Sequence, residues 1–177
     1  SSNSSHPMQF STTADGTLNG GSLYYNSTGS TASISTVNVA VTVGVDSVGG
    51  QSTGVFYFNG VEKPANFALV RGSTYIFDQS ENSNEVYGGA NHPLMFSVGS
   101  GGDHGGHGHY MNGVTYKLDG SVVTMAAYVS GFNAAISRTV TWTVPTSAPA
   151  TLYYWCHYHT GQGNSFSVSS PPAHAAD

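Results

Sequence analysis

Every second residue from Val37 to Val45 is valine, and Thr36, Asn38, Ala40, Thr42, Gly44 and Asp46 alternate with them. Successive side chains of an extended chain point to opposite faces, so the run is a strand with one apolar face. Such a strand needs neighbours and a core to cover it. Val55-Phe56-Tyr57-Phe58 supplies the next candidate, ended by the turn pair Asn59-Gly60. Phe67 and Leu69 lead into Arg71-Gly72 and then Tyr75-Ile76-Phe77-Asp78, which reads as two strands joined by a tight turn. Leu94 to Val98 follows a long polar stretch, Gln79 to Asn91.

Residues 99 to 113 are rich in Gly and His and read as a surface loop. Val122 to Tyr128 fits a strand or a short helix, and periodicity does not choose between them. Arg138, Val140, Trp142 and Val144 alternate with threonines in a strand closed by Pro145, and Leu152 to Cys156 forms another. Many short strands, and no sustained helical period, predict an all-β sandwich or barrel. The expected organisation is a polar Ser/Thr/Gly-rich N-terminal extension over 1–30, a β-sandwich over 31–170 and a tail over 171–177.

With 177 residues, the chain has the length of one domain, and 38% apolar residues can fill its core. Only 7% of residues are charged, and the formal net charge is −5. Lys63, Arg71, Lys117 and Arg138 are the firm cations, too few to displace counterions from nucleic-acid phosphates. No apolar run approaches the roughly 20 residues of a membrane-spanning helix. Abundant Ser, Thr, Gly and Asn with few charges suggests a secreted, extracellular protein, and Asn3-Ser4-Ser5 and Asn26-Ser27-Thr28 match the glycosylation sequon.

The chemistry concentrates in Cys156-His157-Tyr158-His159-Thr160-Gly161-Gln162-Gly163, at the end of the last strand. Cys156 is the only cysteine, so an internal disulfide is impossible, and burial or coordination must protect the thiol. A thiolate and an imidazole three residues on suit a borderline-soft metal, and a second imidazole completes a His2Cys trigonal set. His92, in Asn91-His92-Pro93, offers that imidazole from the mouth of another strand. A buried apolar cysteine and a plain loop histidine are the bland alternatives. His157 projects away from the thiolate if the strand continues. The loop from Gly101 to His109 carries His104, His107 and His109 and reads as flexible, with a weak accessory metal site as the sharper option.

From Phe58 to Phe166 the chain resembles the cupredoxin family. The likeness lies in the run Leu69 to Phe77, then Asn91-His92-Pro93-Leu94-Met95-Phe96, then Tyr153-Tyr154-Trp155-Cys156 with its Cys-x-x-His loop. The resemblance implies a Greek-key β-sandwich with one copper ion at one end, held by His92, Cys156 and His159. The axial ligand of the family is usually methionine, yet no methionine follows Met125 and Gln162 stands in the place. An amide oxygen can serve there, provided Gln162 points inward, and as a harder donor it favours Cu(II) and lowers the reduction potential. The resemblance implies electron transfer or copper holding, with His159 as the electron's exit, an unidentified redox partner, and Asn91 as a brace for the ligand loop.

Two readings from different classes compete with that one. An extracellular structural or matrix protein could keep the same sandwich and assemble with copies of itself or on a mineral, since the surface lacks a charged patch for steering a redox partner. A copper enzyme would need further His-x-His pairs, of which the chain has only His107-Gly108-His109 and His157-Tyr158-His159. The expectation is therefore a protein that is not an enzyme.

Overall fold

The computed structural model describes residues 10–11, 23–24 and 34–172. The chain divides into two units, Ser1–Thr31 and Ala32–Asp177. In the first, β1 (Phe10–Ser11) pairs antiparallel with β2 (Leu23–Tyr24), Phe10 opposite Tyr24. The rest of the expected N-terminal extension, both sequons, and residues 173–177 of the tail lie outside the described residues.

The second unit is an all-β sandwich of two sheets. The valine run forms β3 (Thr36–Gly44), with Val39, Val41 and Val43 buried; Val45 lies past the strand end and is exposed. The expected turn at Asn59-Gly60, both at positive φ, joins β4 (Val55–Phe58) to a short antiparallel partner, β5 (Val61–Glu62). The chain continues through β6 (Phe67–Val70), β7 (Thr74–Asp78), β8 (Leu94–Ser97), β9 (Val114–Leu118), β10 (Ser121–Val123), β11 (Arg138–Thr143), β12 (Thr151–Cys156) and β13 (Ser165–Ser169). One sheet runs β10-β9-β11-β7-β3-β4-β5 and the other β6-β13-β12-β8. Strands β3 and β7 pair in parallel, as do β6 and β13, and the remaining pairs in the two sheets are antiparallel.

The two strands and the tight turn expected over Phe67 to Asp78 are present, but the strands do not pair with each other as a hairpin would require. β6 and β7 lie in different sheets, and the turn between them carries the chain across the sandwich. Leu69 on one side and Tyr75 and Phe77 on the other all enter the same core. The crossing is tied by Gly72 N–H to the Val144 carbonyl, and by the Arg71 guanidinium to the Ala148 carbonyl. Alternation sets which face of a strand is apolar but not which strand lies beside it.

The ambiguous segment Val122 to Tyr128 is both things in turn. β10 ends at Val123, and α2 (Met125–Gly131) starts after Thr124, whose side chain accepts the Ala127 N–H. The polar stretch after β7 folds into α1 (Ser83–Val86) and a 3-10 turn, Tyr87–Gly89.

Phe166 of β13 joins the two layers. Its ring meets Phe58, Phe77 and Trp142 from the larger sheet, and Phe67, Phe96 and Tyr154 from the smaller, at centroid separations of 5.2 to 6.3 Å. Offset and edge-on rings at these distances add to the apolar burial itself. Truncation at this point removes contacts from both sheets at once. Phe166→Ala should therefore cost about 3–5 kcal/mol of unfolding free energy in urea titrations, whereas truncating exposed Val122 should cost under about 0.5 kcal/mol.

Candidate metal centre

β8 and β12 are antiparallel neighbours in the register Leu94 opposite Cys156. The start of one strand therefore lies beside the end of the other, and His92, two residues before Leu94, arrives next to Cys156. A further backbone bond from His157 N–H to the Pro93 carbonyl, 3.0 Å, extends the pairing past the strand end. The loop after Cys156 then turns back. Gly161 sits at φ +74°, where a side chain would also run into Gln51, and Gly163 presses so closely on the Tyr154 carbonyl that a Cβ could not fit.

The ligand atoms of His92, Cys156 and His159 lie within 4.8 Å of one another. Cys156 Sγ is 3.8 Å from His92 Nδ1 and 3.4 Å from His159 Nδ1. An ion at ordinary bond lengths in a trigonal N2S set spaces nitrogen and sulfur by about 3.7 Å. Three donors are thus spaced for one ion. His92, Cys156 and Gln162 are fully buried, and His159 is the one partly open member of the group.

Gln162 does point inward. Its Nε2 donates to the Thr53 carbonyl at 2.8 Å and to Thr53 Oγ1 at 3.0 Å, which leaves Oε1 2.9 Å from His92 Nδ1. The other ring nitrogen of His92 faces the Tyr87 carbonyl at 2.9 Å and must carry the hydrogen, because a carbonyl only accepts. In a neutral ring, Nδ1 and Oε1 therefore confront each other lone pair to lone pair. A proton between them would create a buried imidazolium with no carboxylate among its partners, an expensive arrangement. A cation shared by both atoms removes the conflict. The residues fit a bound metal ion.

The charge state of His159 agrees with that fit, whereas that of Cys156 works against it until an ion displaces the thiol proton. Burial pushes the Cys156 thiol up to about 12, against a smaller opposite pull from the Tyr158 and His159 backbone N–H groups. Burial first, then His92 and His104, hold the His159 imidazole below its ordinary value, so it stays neutral and able to ligate.

Support for His92 comes from the polar stretch between β7 and β8. Gln79 and Asn84 are fully buried. Gln79 Nε2 donates to the His92 carbonyl at 2.7 Å and to Asn84 Oδ1 at 2.9 Å. Its Oε1 accepts from Leu94 N–H at 2.8 Å and from the Tyr128 hydroxyl at 3.1 Å. All four hydrogen-bonding positions of that amide are used. His92 N–H donates to the Asn84 carbonyl at 2.7 Å, closing the segment between β7 and β8. Buried Arg138 adds a tie, reaching the Glu85 carboxylate of α1 and the Phe132 carbonyl.

Asn91 does not brace the ligand loop. Its amide pairs with Asn133 at 2.6 Å, at the wall of an open groove beside Tyr158 and His159. His157 stays out of the ligand group, as expected. Tyr154 and Trp155 are buried packing residues. The Gly/His-rich loop is more ordered than expected: a 3-10 turn spans Gly102–Gly105, and His104 and His109 pack on the Trp155 ring. No family model and no curated protein matches the chain. No described helix is long and apolar enough to cross a membrane.

With the thiol protonated and His159 neutral at pH 7.5, metal binding should release about one proton per ion. Calorimetric titrations in buffers of different ionisation enthalpy should read that proton, and Cys156→Ser should abolish it. In the metal-free protein the folded thiol keeps its proton where an unfolded cysteine has lost it. Stability is therefore full below pH 9 and falls as pH rises from 9 toward 12. Urea midpoints at pH 8 and 9.5 should differ, and less so in the Cys156→Ser protein.

Proposed function

We propose that this is a secreted, cupredoxin-like copper protein that transfers electrons or holds copper, with His92, Cys156 and His159 as ligands and Gln162 Oε1 as the axial donor. The observation that carries the reading is the inward Gln162 oxygen opposed to the lone pair of His92 Nδ1, beside the only cysteine. Two imidazoles and a thiolate at trigonal spacing with a fourth, weaker donor suit copper, and copper bound there would supply a one-electron couple.

The chain's own residues support a carrier over an enzyme. Three donors lie within 4.8 Å of one another, Gln162 Oε1 is 2.9 Å from His92 Nδ1, and His92, Cys156 and Gln162 are fully buried, whereas catalytic metal sites keep a position open to substrate. The Gln79 amide and the Tyr87 carbonyl hold His92 from opposite ends, which resists movement when the ion's charge changes. His159 reaches the surface beside half-exposed Tyr158 and Val86, a path by which an electron could leave to a redox partner.

Cu(II) added to the reduced protein should produce an intense visible thiolate-to-copper band at one equivalent. Cys156→Ser should abolish the band, and Gln162→Met should keep it while raising the reduction potential, measured by redox titration. Gln79→Leu, which strands the His92 carbonyl, the Leu94 N–H and Asn84 Oδ1, should weaken copper binding by about 10–100-fold. A colourless protein that assembles into filaments or lattices regardless of metal would instead support the structural or matrix role.

A further inference from the structure

The geometry points to a second metal site, separate from the first, in which His109 Nε2 and His157 Nδ1 hold an imidazole-preferring ion such as zinc or copper. Among the described residues, the buried side-chain nitrogens and oxygens without a hydrogen-bond partner are His109 Nε2, His157 Nδ1 and Trp155 Nε1. They are gathered in one place. The His109 ring centre lies 5.0 Å from the Trp155 ring, the His157 ring 6.4 Å from it, and the two imidazoles 6.3 Å from each other. Isolated polar atoms of this kind are rare in folded proteins, and a cluster of them calls for a shared partner.

The protonation of His109 defines what that partner is. Asp103 Oδ2 lies 3.3 Å from His109 Nδ1, a proximity that favours the tautomer with the hydrogen on Nδ1 and the lone pair on Nε2. A carboxylate behind an imidazole is the arrangement that orients metal-binding histidines and raises their basicity. His157 Nδ1 has no hydrogen-bond partner and offers a lone pair in the tautomer that carries its hydrogen on Nε2. Two ring nitrogens on one ion, each about 2 Å away, place their ring centres roughly 5–6 Å apart. The observed 6.3 Å lies just beyond the wide end of that range, so binding draws the rings slightly together or sets them nearly opposite across the ion. Water on the ion then accepts the Trp155 N–H, and all three atoms are satisfied.

Neither histidine belongs to the first ligand group, and the inference stands whether or not that group binds copper. It also corrects the plain reading of the Gly/His loop. Its glycines let residues 101–109 fold back over Trp155, delivering His109 inward while His107 stays exposed.

Equilibrium dialysis of the full chain against micromolar Zn2+, followed by metal analysis, tests this by difference. The wild-type protein should retain one more ion per chain than either His109→Asn or His157→Asn. Asp103→Asn should weaken that ion's binding about 10–100-fold, and His107→Asn should leave it unchanged. Equal retention by wild type, His109→Asn and His157→Asn overturns the site and leaves a bridging water as the shared partner. Loss of the extra ion in His107→Asn to the same degree as in His109→Asn overturns it as well, since the loop would then bind loosely through any of its imidazoles. Failure of the first centre appears separately, as a missing visible band with copper.

Discussion

The antiparallel register of β8 on β12 is the constraint on which the site depends. Leu94 opposite Cys156 places the entrance of one strand against the exit of the other, 62 positions apart in sequence, and the approach of His92 to Cys156 follows from that contact. A slip by one residue would turn Cys156 to the opposite face of the sheet and move His92 away from it. The slip is resisted because Leu94, Met95 and Phe96 are all fully buried opposite Tyr154, Trp155 and Cys156. Apolar packing thus sets a coordination geometry that no polar interaction along the strands could hold alone.

Around that register the molecule places a buried polar frame. Gln79, Asn84 and Gln162 are fully buried amides whose hydrogen bonds run to backbone groups, to one another, to the ligand segment and to the Tyr128 and Thr53 hydroxyls. Unpaired, such groups would be costly, whereas fully paired they permit one arrangement only. Rigidity of that kind holds the His92 imidazole in one position relative to the Cys156 sulfur. It also leaves the lone-pair conflict at His92 as the one unresolved interaction in the frame, at the place where a cation fits.

Much of the fold was legible in the chain. The valine alternation of β3, the Asn59-Gly60 hairpin, and the strands ending at Pro145 and Cys156 all follow from period and turn chemistry, which are local properties. β9 and β13 carried the same signals, Val114, Tyr116 and Leu118 in one and Phe166 and Val168 in the other, ahead of an Asp119-Gly120 turn in the first case. The three serines of β13 resemble a loop, and β9 follows directly on the Gly/His-rich stretch and is only five residues long. The roles of Gln79 and Asn84 were not legible, since a polar residue in a polar stretch gives no sign of being buried.

By itself, the sequence determined the strand faces, the all-β class, and the set of side chains able to bind a metal: one cysteine, a histidine three residues on, and an upstream histidine before proline. These depend on residue type and on spacing along a single segment. Only the tertiary structure decided that β6 and β7 part into different sheets, that the Gln162 oxygen turns toward His92, and that His109 and His157 meet over Trp155. Each of these is a contact between segments far apart in the chain, and such contacts are chosen by the packing of the whole core, which no local pattern encodes.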